Sequence, residues 1–159
     1  MKAIRLATAW LSGCSGCHMS LLNLHQGLLE ILTQCDLVYS PLMDLKEYPP
    51  GVDIVLVEGA VANEENQGMA QIIRQRTKIV ISLGDCAVNG NVSALRNPAG
   101  CAATVERSYG AMDWMPELNR LAVPVLPLHQ AIRVDDFIPG CPPDPELIRR
   151  TIVQSLGLS

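Results

Sequence analysis

Residues 53–60 read Asp53-Ile54-Val55-Leu56-Val57-Glu58-Gly59-Ala60. An unbroken apolar run rich in β-branched residues and stopped by Glu-Gly is the pattern of a strand buried on both faces. Strands of that kind belong to parallel sheets, whose crossover helices supply the cover. On its N-terminal side, Ala3 to Ala9 reads as a second buried strand and Leu37 to Tyr39 as a short third. Lys78 to Leu83 repeats the central pattern, and Val123 to Leu128 reads as one more strand. Between His18 and Thr33, Leu21, Leu24, Leu28, Ile31 and Leu32 recur at helical spacing, which predicts one crossover helix. Asn63 to Arg76 reads as a helix with Met69, Ile72 and Ile73 inward. Asp144 to Leu156 reads as a closing helix with Asp144 as N-cap and Pro145 in the first turn. Pro41 and Pro49-Pro50-Gly51 break regular structure, and Asn91 to Pro116 shows no clear period. Strands alternating with helices give an α/β chain with an open, mostly parallel sheet and helices on both faces.

The 159 residues fit a single domain spanning 1–159. Hydrophobic residues make up 48% and charged residues 18%, with mean hydropathy +0.21, an oily balance that favours a subunit burying surface against a partner. The net charge of −4, the lack of a basic run and the 4% aromatic content argue against a nucleic-acid partner. No apolar stretch approaches the roughly 18 residues that cross a bilayer, so no direct membrane span is expected. Met1 to Leu11 reads as the start of a mature strand, not an export signal. A cytoplasmic location follows, where six cysteines are more readily ligands or reduced thiols than disulfides.

Gly13-Cys14-Ser15-Gly16-Cys17 follows the first strand and opens a helical pattern. At a helix N-terminus, unpaired N–H groups and the dipole favour thiolate over thiol. One Cys-x-x-Cys is shared by dithiol redox proteins, zinc half-sites and iron–sulfur proteins. The other cysteines narrow the choice. Cys86 follows the Lys78–Leu83 strand and Cys141 lies in a late loop, so all four can meet where parallel sheets gather ligands, outside the strands' carboxyl ends. A [4Fe–4S] cube needs thiolates arriving from several directions, and Gly13, Gly16, Gly84 and Gly140 let the backbone approach it. Zinc more often takes two close pairs, and a dithiol explains only Cys14 and Cys17.

Four motifs in order carry a family resemblance: Gly-Cys-Ser-Gly-Cys-His-Met-Ser-Leu-Leu at 13–22, Glu-Gly-Ala at 58–60, Gly-Asp-Cys-Ala-Val-Asn-Gly-Asn-Val at 84–92 and Pro-Gly-Cys-Pro-Pro at 139–143. Over nearly its whole length the chain resembles the small subunit of [NiFe] hydrogenases, in particular the short form in cytoplasmic NAD-reducing (bidirectional) enzymes. The 20 kDa subunit of complex I is similar, but characteristically has adjacent cysteines in the first motif. The resemblance implies a flavodoxin-like fold and one proximal [4Fe–4S] cluster on Cys14, Cys17, Cys86 and Cys141. The long C-terminal extension with further clusters, found in membrane-bound relatives, has no counterpart before Ser159. The nickel–iron centre is implied on a large-subunit partner. Further clusters, FMN and NAD are implied on iron–sulfur and flavin (diaphorase) partner subunits. The resemblance therefore implies an electron conductor with no bond-breaking residue of its own. A ferredoxin- or quinone-linked hydrogenase or complex I-like assembly, and a free-standing thiol redox protein, are the alternatives. FMN on this chain is open to the fold, but no phosphate-cradling sequence argues for it.

Glu58 is expected to support the cluster from just outside its ligands, with Gly16 beside it; the plainer reading of Glu58 is a strand-end carboxylate facing water. His18 is expected to orient a neighbour or meet a partner, and not to bind iron. Trp10 is expected at a partner interface, and Asp85 caps a loop or is solvated. Cys35 reads as a helix-end thiol and Cys101 as a loop thiol, while His25 and His129 read as surface or packing residues.

Overall fold

The computed structural model describes residues 4–110 and 121–157. Its strands are Ile4–Trp10 (β1), Cys35–Tyr39 (β2), Val52–Glu58 (β3), Val61–Asn63 (β4), Thr77–Leu83 (β5), Leu121–Leu126 (β6) and Asp136–Ile138 (β7). Its helices are Gly16–Leu22 (α1), Gln26–Gln34 (α2), Glu64–Arg76 (α3), Asp85–Asn89 (α4), Cys101–Tyr109 (α5), Leu128–Ala131 (α6) and Pro145–Leu156 (α7), with a 3₁₀ turn over Asn91–Arg96. Five strands form one sheet in the order β2-β1-β3-β5-β7, and each neighbouring pair is parallel. Counting only the strands of this sheet, that is the 2-1-3-4-5 order of a flavodoxin-like fold. The expected α/β architecture is present.

The central run is buried on both sides, as its composition requires. Val55 and Val57 of β3, with Ala7, Ala9 and Val80, pack on Ala70 and Ile73 of α3, Ala87 of α4 and Leu128 of α6. Ile54 and Leu56 turn the other way and, with Leu6, Ile81, Leu83 and Ile138, meet Leu21 of α1, Ile31 of α2 and Ile148 and Ile152 of α7. Each fully buried Val, Leu or Ile of this kind contributes about 1.5–3 kcal/mol relative to exposure. The helices are capped from the sequence. Asn63 Oδ1 accepts the Asn66 N–H at 2.7 Å, and Asp144 Oδ1 accepts the Leu147 N–H at 3.0 Å.

Short β7 reaches the sheet under guidance from α3. Arg74 donates to Asp135 Oδ2 at 2.6 Å, and the same oxygen accepts the Val80 N–H at 2.9 Å. Burial pushes the Asp135 carboxyl up, but the Arg74 and Val80 hydrogen bonds outweigh it and hold the group below the usual carboxylate range.

Several local expectations are corrected. The predicted His18–Thr33 helix is two helices, broken where His25 adopts φ 48°. The leucine spacing runs on across the break because Leu21, Leu24, Leu28, Ile31 and Leu32 still face one core; periodicity reads a face, not continuity. In α3 it is Ala70 and Ile73 that are buried, and Ile72 is 40% exposed. The stretch read as irregular contains the 3₁₀ turn and α5, so Cys101 opens a helix instead of lying in a loop. Residues 111–116 of that stretch, and Ala3 of the first strand, lie outside the described residues. The strand expected over Val123–Leu128 lies over Leu121–Leu126, with Leu128 opening α6, and it pairs antiparallel with β4 away from the main sheet.

Candidate functional site

Four strand ends are aligned by the hydrogen-bond ladder. Trp10 pairs with Glu58, Glu58 with Leu83, and Leu83 with Ile138. The loops that carry Cys14 and Cys17, Cys86, and Cys141 therefore leave the sheet from a common rim. Backbone bonds then hold the loops together. Gly84 N donates to Ile138 O at 2.8 Å, and Asp85 N to Gly140 O at 2.9 Å. In return the Gly140 N–H donates to Asp85 Oδ1 at 2.7 Å. Asp85 is thus a loop staple, the capping role expected of it. On the other side, Ser12 and Ala60 exchange N–H···O bonds of 3.0 and 2.8 Å. Gly59 permits that approach, because at φ 89° an added Cβ would fall 2.8 Å from the Leu11 carbonyl carbon.

The thiols are crowded. Gly84 has φ 80°, and a Cβ there would lie 2.2 Å from Cys17 Sγ, so the loop before Cys86 passes directly over Cys17. A Cβ in place of a Gly16 hydrogen would lie 3.3 Å from Cys14 Sγ, which accounts for the small residue between the two cysteines. Cys17 is pushed up to about 12, by burial first, then by the Glu58 charge and by Cys86, Cys14 and Cys141. Cys86 is pushed up by burial and by Cys141 and Cys14. The expectation that the helix N-terminus favours thiolate therefore fails for Cys17 in the chain by itself, because desolvation and neighbouring charge outweigh the dipole of a short helix. Thiols brought this close form a donor set suited to a cationic centre, which binds thiolates and releases their protons. Among the described residues, no three His, Cys, Asp or Glu side chains are arranged around a single metal ion.

Glu58 closes the site from below. Its Oε2 accepts the His18 backbone N–H at 2.7 Å and lies 2.6 Å from His18 Nδ1, with both side chains 2% exposed. The reading of Glu58 as a solvated strand-end carboxylate is overturned, and His18 meets Glu58 through both its backbone and its ring. His18 also meets Trp10 edge to face at 5.3 Å between ring centroids, while Trp10 itself is 41% exposed. His18 Nε2 is buried without a hydrogen-bond partner.

Other residues stand apart. Cys35 is buried at the opposite edge of the sheet, paired with Ile4, and burial pushes its thiol up. His25 and His129 are exposed. One residue was missed: Asn91, whose Nδ2 donates to Cys141 Sγ at 3.4 Å. The repeated Asn-Gly-Asn at 89–91 marks a turn, and that turn was the available signal.

A parallel sheet of this order, with four cysteines just beyond its carboxyl rim, defines a flavodoxin-like protein with a thiol-lined edge. The family described as NADH ubiquinone oxidoreductase, 20 Kd subunit, matches residues 14–155. The chain belongs to that family. It is 36% identical to the NAD-reducing hydrogenase HoxS subunit delta of Cupriavidus necator over 160 residues, covering 94% of this chain and 77% of the relative. It is 38% identical to a subunit of the F420-non-reducing hydrogenase vhu of Methanocaldococcus jannaschii over 163 residues, covering 98% of this chain. The chain spans 57% of that relative's length and 54% of a similar subunit from Methanothermobacter marburgensis. A chain in a solved NAD+-reducing [NiFe]-hydrogenase, in its H2-reduced state, superposes with TM-score 0.89 at 34% identity, covering 99% of this chain and 94% of that one. A [NiFeSe]-hydrogenase chain at 18% identity and TM-score 0.67 shares the fold.

Proposed function

We propose that this chain is the electron-transfer small subunit of a soluble [NiFe] hydrogenase. In this reading Cys14, Cys17, Cys86 and Cys141 hold one [4Fe–4S] cluster. It lies between a nickel–iron site on a large-subunit partner and an iron–sulfur and flavin (diaphorase) module that reduces NAD+. The observation that carries the reading is the aligned rim: four ladder-paired strand ends, three of which launch the connections that carry the four cysteines. The 36% identity to an NAD-reducing hydrogenase subunit and the 0.89 superposition support the choice of acceptor.

When bound, such a cluster accepts and releases electrons one at a time, while heterolysis of hydrogen on a partner supplies them in pairs. The chain's own residues hold and tune it. The four cysteines supply the thiolates, and Gly84 and Gly16 keep space free against Cys17 and Cys14. Glu58, through His18, fixes the first turn of α1, where Cys17 sits. No group on this chain is assigned to hydrogen cleavage, and FMN is assigned to the partner module. Among the described residues no helix is long and apolar enough to cross a membrane. Use of NAD+ puts the proposed complex in the cytoplasm.

The test is anaerobic purification of the intact complex from its host, counting iron, sulfide, nickel and flavin and assaying hydrogen-dependent NAD+ reduction. Iron and sulfide matching one cube on this chain, with nickel on a co-purifying subunit, supports the reading; an iron-free chain overturns it. A second reading keeps the cluster but changes the acceptor to ferredoxin, a quinone or another carrier. It is favoured by the 38% identity to a subunit of an F420-non-reducing hydrogenase. A nickel-containing complex that oxidises hydrogen but leaves NAD+ unreduced selects it.

A further inference from the structure

Asn91 lies just past α4, at φ 38°, in the left-handed region that asparagine tolerates better than most residues with a side chain. Its backbone N–H donates to Asn89 Oδ1 at 2.9 Å, which closes the Asn89-Gly90-Asn91 turn and aims the carboxamide back at the rim. From there Nδ2 donates to Cys141 Sγ at 3.4 Å. Cys86 sits in α4 and Cys141 in the loop after β7, and Asp85 and Gly140 join the two segments. A neutral side chain from the segment that follows Cys86 thus reaches the thiol of the late loop. It adds no net charge and no metal ligand.

A donor beside a thiolate stabilises whichever state of the bound centre carries more negative charge. Hydrogen bonds to ionised sulfur are stronger than neutral ones, and they are among the levers that set a cluster's reduction potential. We propose that Asn91 is a potential-setting positioning residue, whose carboxamide N–H bond to the Cys141 thiolate makes the centre that this cysteine helps to hold easier to reduce. This rests on the cluster reading above.

The experiment is a redox titration, followed by electron paramagnetic resonance, of the intact complex and two variants. Asn91→Gly removes the donor while suiting the positive φ, and Asn91→Asp keeps the shape but turns a donor into an anionic acceptor. The expected result is unchanged iron and sulfide and a more negative midpoint for both. Asn91→Gly should lower the reduced-to-oxidised ratio at fixed potential roughly tenfold, about 59 mV for a one-electron couple, and Asn91→Asp should lower it further. Full iron with an unmoved midpoint overturns the assignment of Asn91 and leaves the cluster reading standing. An unsubstituted complex without iron overturns both. Where a variant loses iron, the unsubstituted complex labelled with 15N at the asparagine side-chain amide decides. A 15N coupling to the reduced centre supports the proposal, and its absence overturns it.

Discussion

Glu58 and His18 form a buried two-point contact, one carboxylate oxygen meeting both the backbone N–H and the ring Nδ1 of His18 at 2.7 and 2.6 Å. The contact joins the end of the central strand to the helix that begins at the cysteine pair. Glu58→Gln keeps an acceptor for the His18 N–H but removes a negative charge that acts on Cys17. Cluster assembly should survive and the midpoint should move to more positive potential; redox titration of the intact complex checks it. Glu58→Ala leaves buried His18 groups without their partner and should cost about 1–3 kcal/mol for each group left unsatisfied, measured by urea unfolding. An unchanged potential in Glu58→Gln would remove Glu58 from the tuning of the centre.

The ligand assignment separates two cysteines of similar exposure. Cys86→Ala should abolish the cluster signal and electron transfer, while Cys101→Ala, at the start of α5, should leave both intact. Iron and acid-labile sulfide assays with low-temperature spectra decide it, and equal losses would show the set to be wrong.

Gly84→Ala tests how closely the loops approach. The new Cβ would overlap Cys17 Sγ at 2.2 Å, on a backbone at φ 80° and ψ 162° that suits glycine almost alone. The backbone cost alone is about 1–3 kcal/mol, and Cys17 must move. Lower iron content together with a lower melting temperature is expected. Full occupancy at unchanged melting temperature would mean that the loop has slack.

Alkaline pH should weaken the fold through Tyr48. Burial first lifts its phenol from 10.0 to about 12, although its bond to Thr77 Oγ1 at 2.6 Å opposes the lift. Because the folded state binds this proton more tightly than the unfolded chain, its contribution is complete below pH 10 and is lost as pH rises toward 12. The loss amounts to about 2–3 kcal/mol across that window. Urea unfolding at intervals from pH 9 to 12 should show the decline, and Tyr48→Phe should flatten it.

The framework was legible because burial on both faces leaves an unmistakable composition: Ile54 to Val57 and Ile79 to Leu83 have no polar alternation to confuse with an exposed strand. The cysteine rim was legible for a related reason, since a parallel sheet sends every crossover loop from the same end. What escaped was governed by tertiary contacts. The turn at His25 leaves the leucine pattern undisturbed, and β7 is only three residues long, held through the adjacent Asp135 by Arg74 and Val80 from elsewhere in the chain. The Glu58–His18 pairing spans forty positions of sequence, with nothing in either local stretch to announce it. Asn91 needed the late loop folded against it before its partner, Cys141, was defined.

The staple between Asp85 and Gly140 has an engineering meaning. β7 contributes the shortest stretch of ladder behind any of the four cysteines, and sliding it by one residue would carry Cys141 about 3.3 Å and reverse which way each of its side chains points. Two short bonds to a neighbouring loop block that slide. The least anchored arm of the rim is therefore clamped to an adjacent arm, and a designer wishing to loosen this edge would begin with one carboxylate, not with the sulfur atoms.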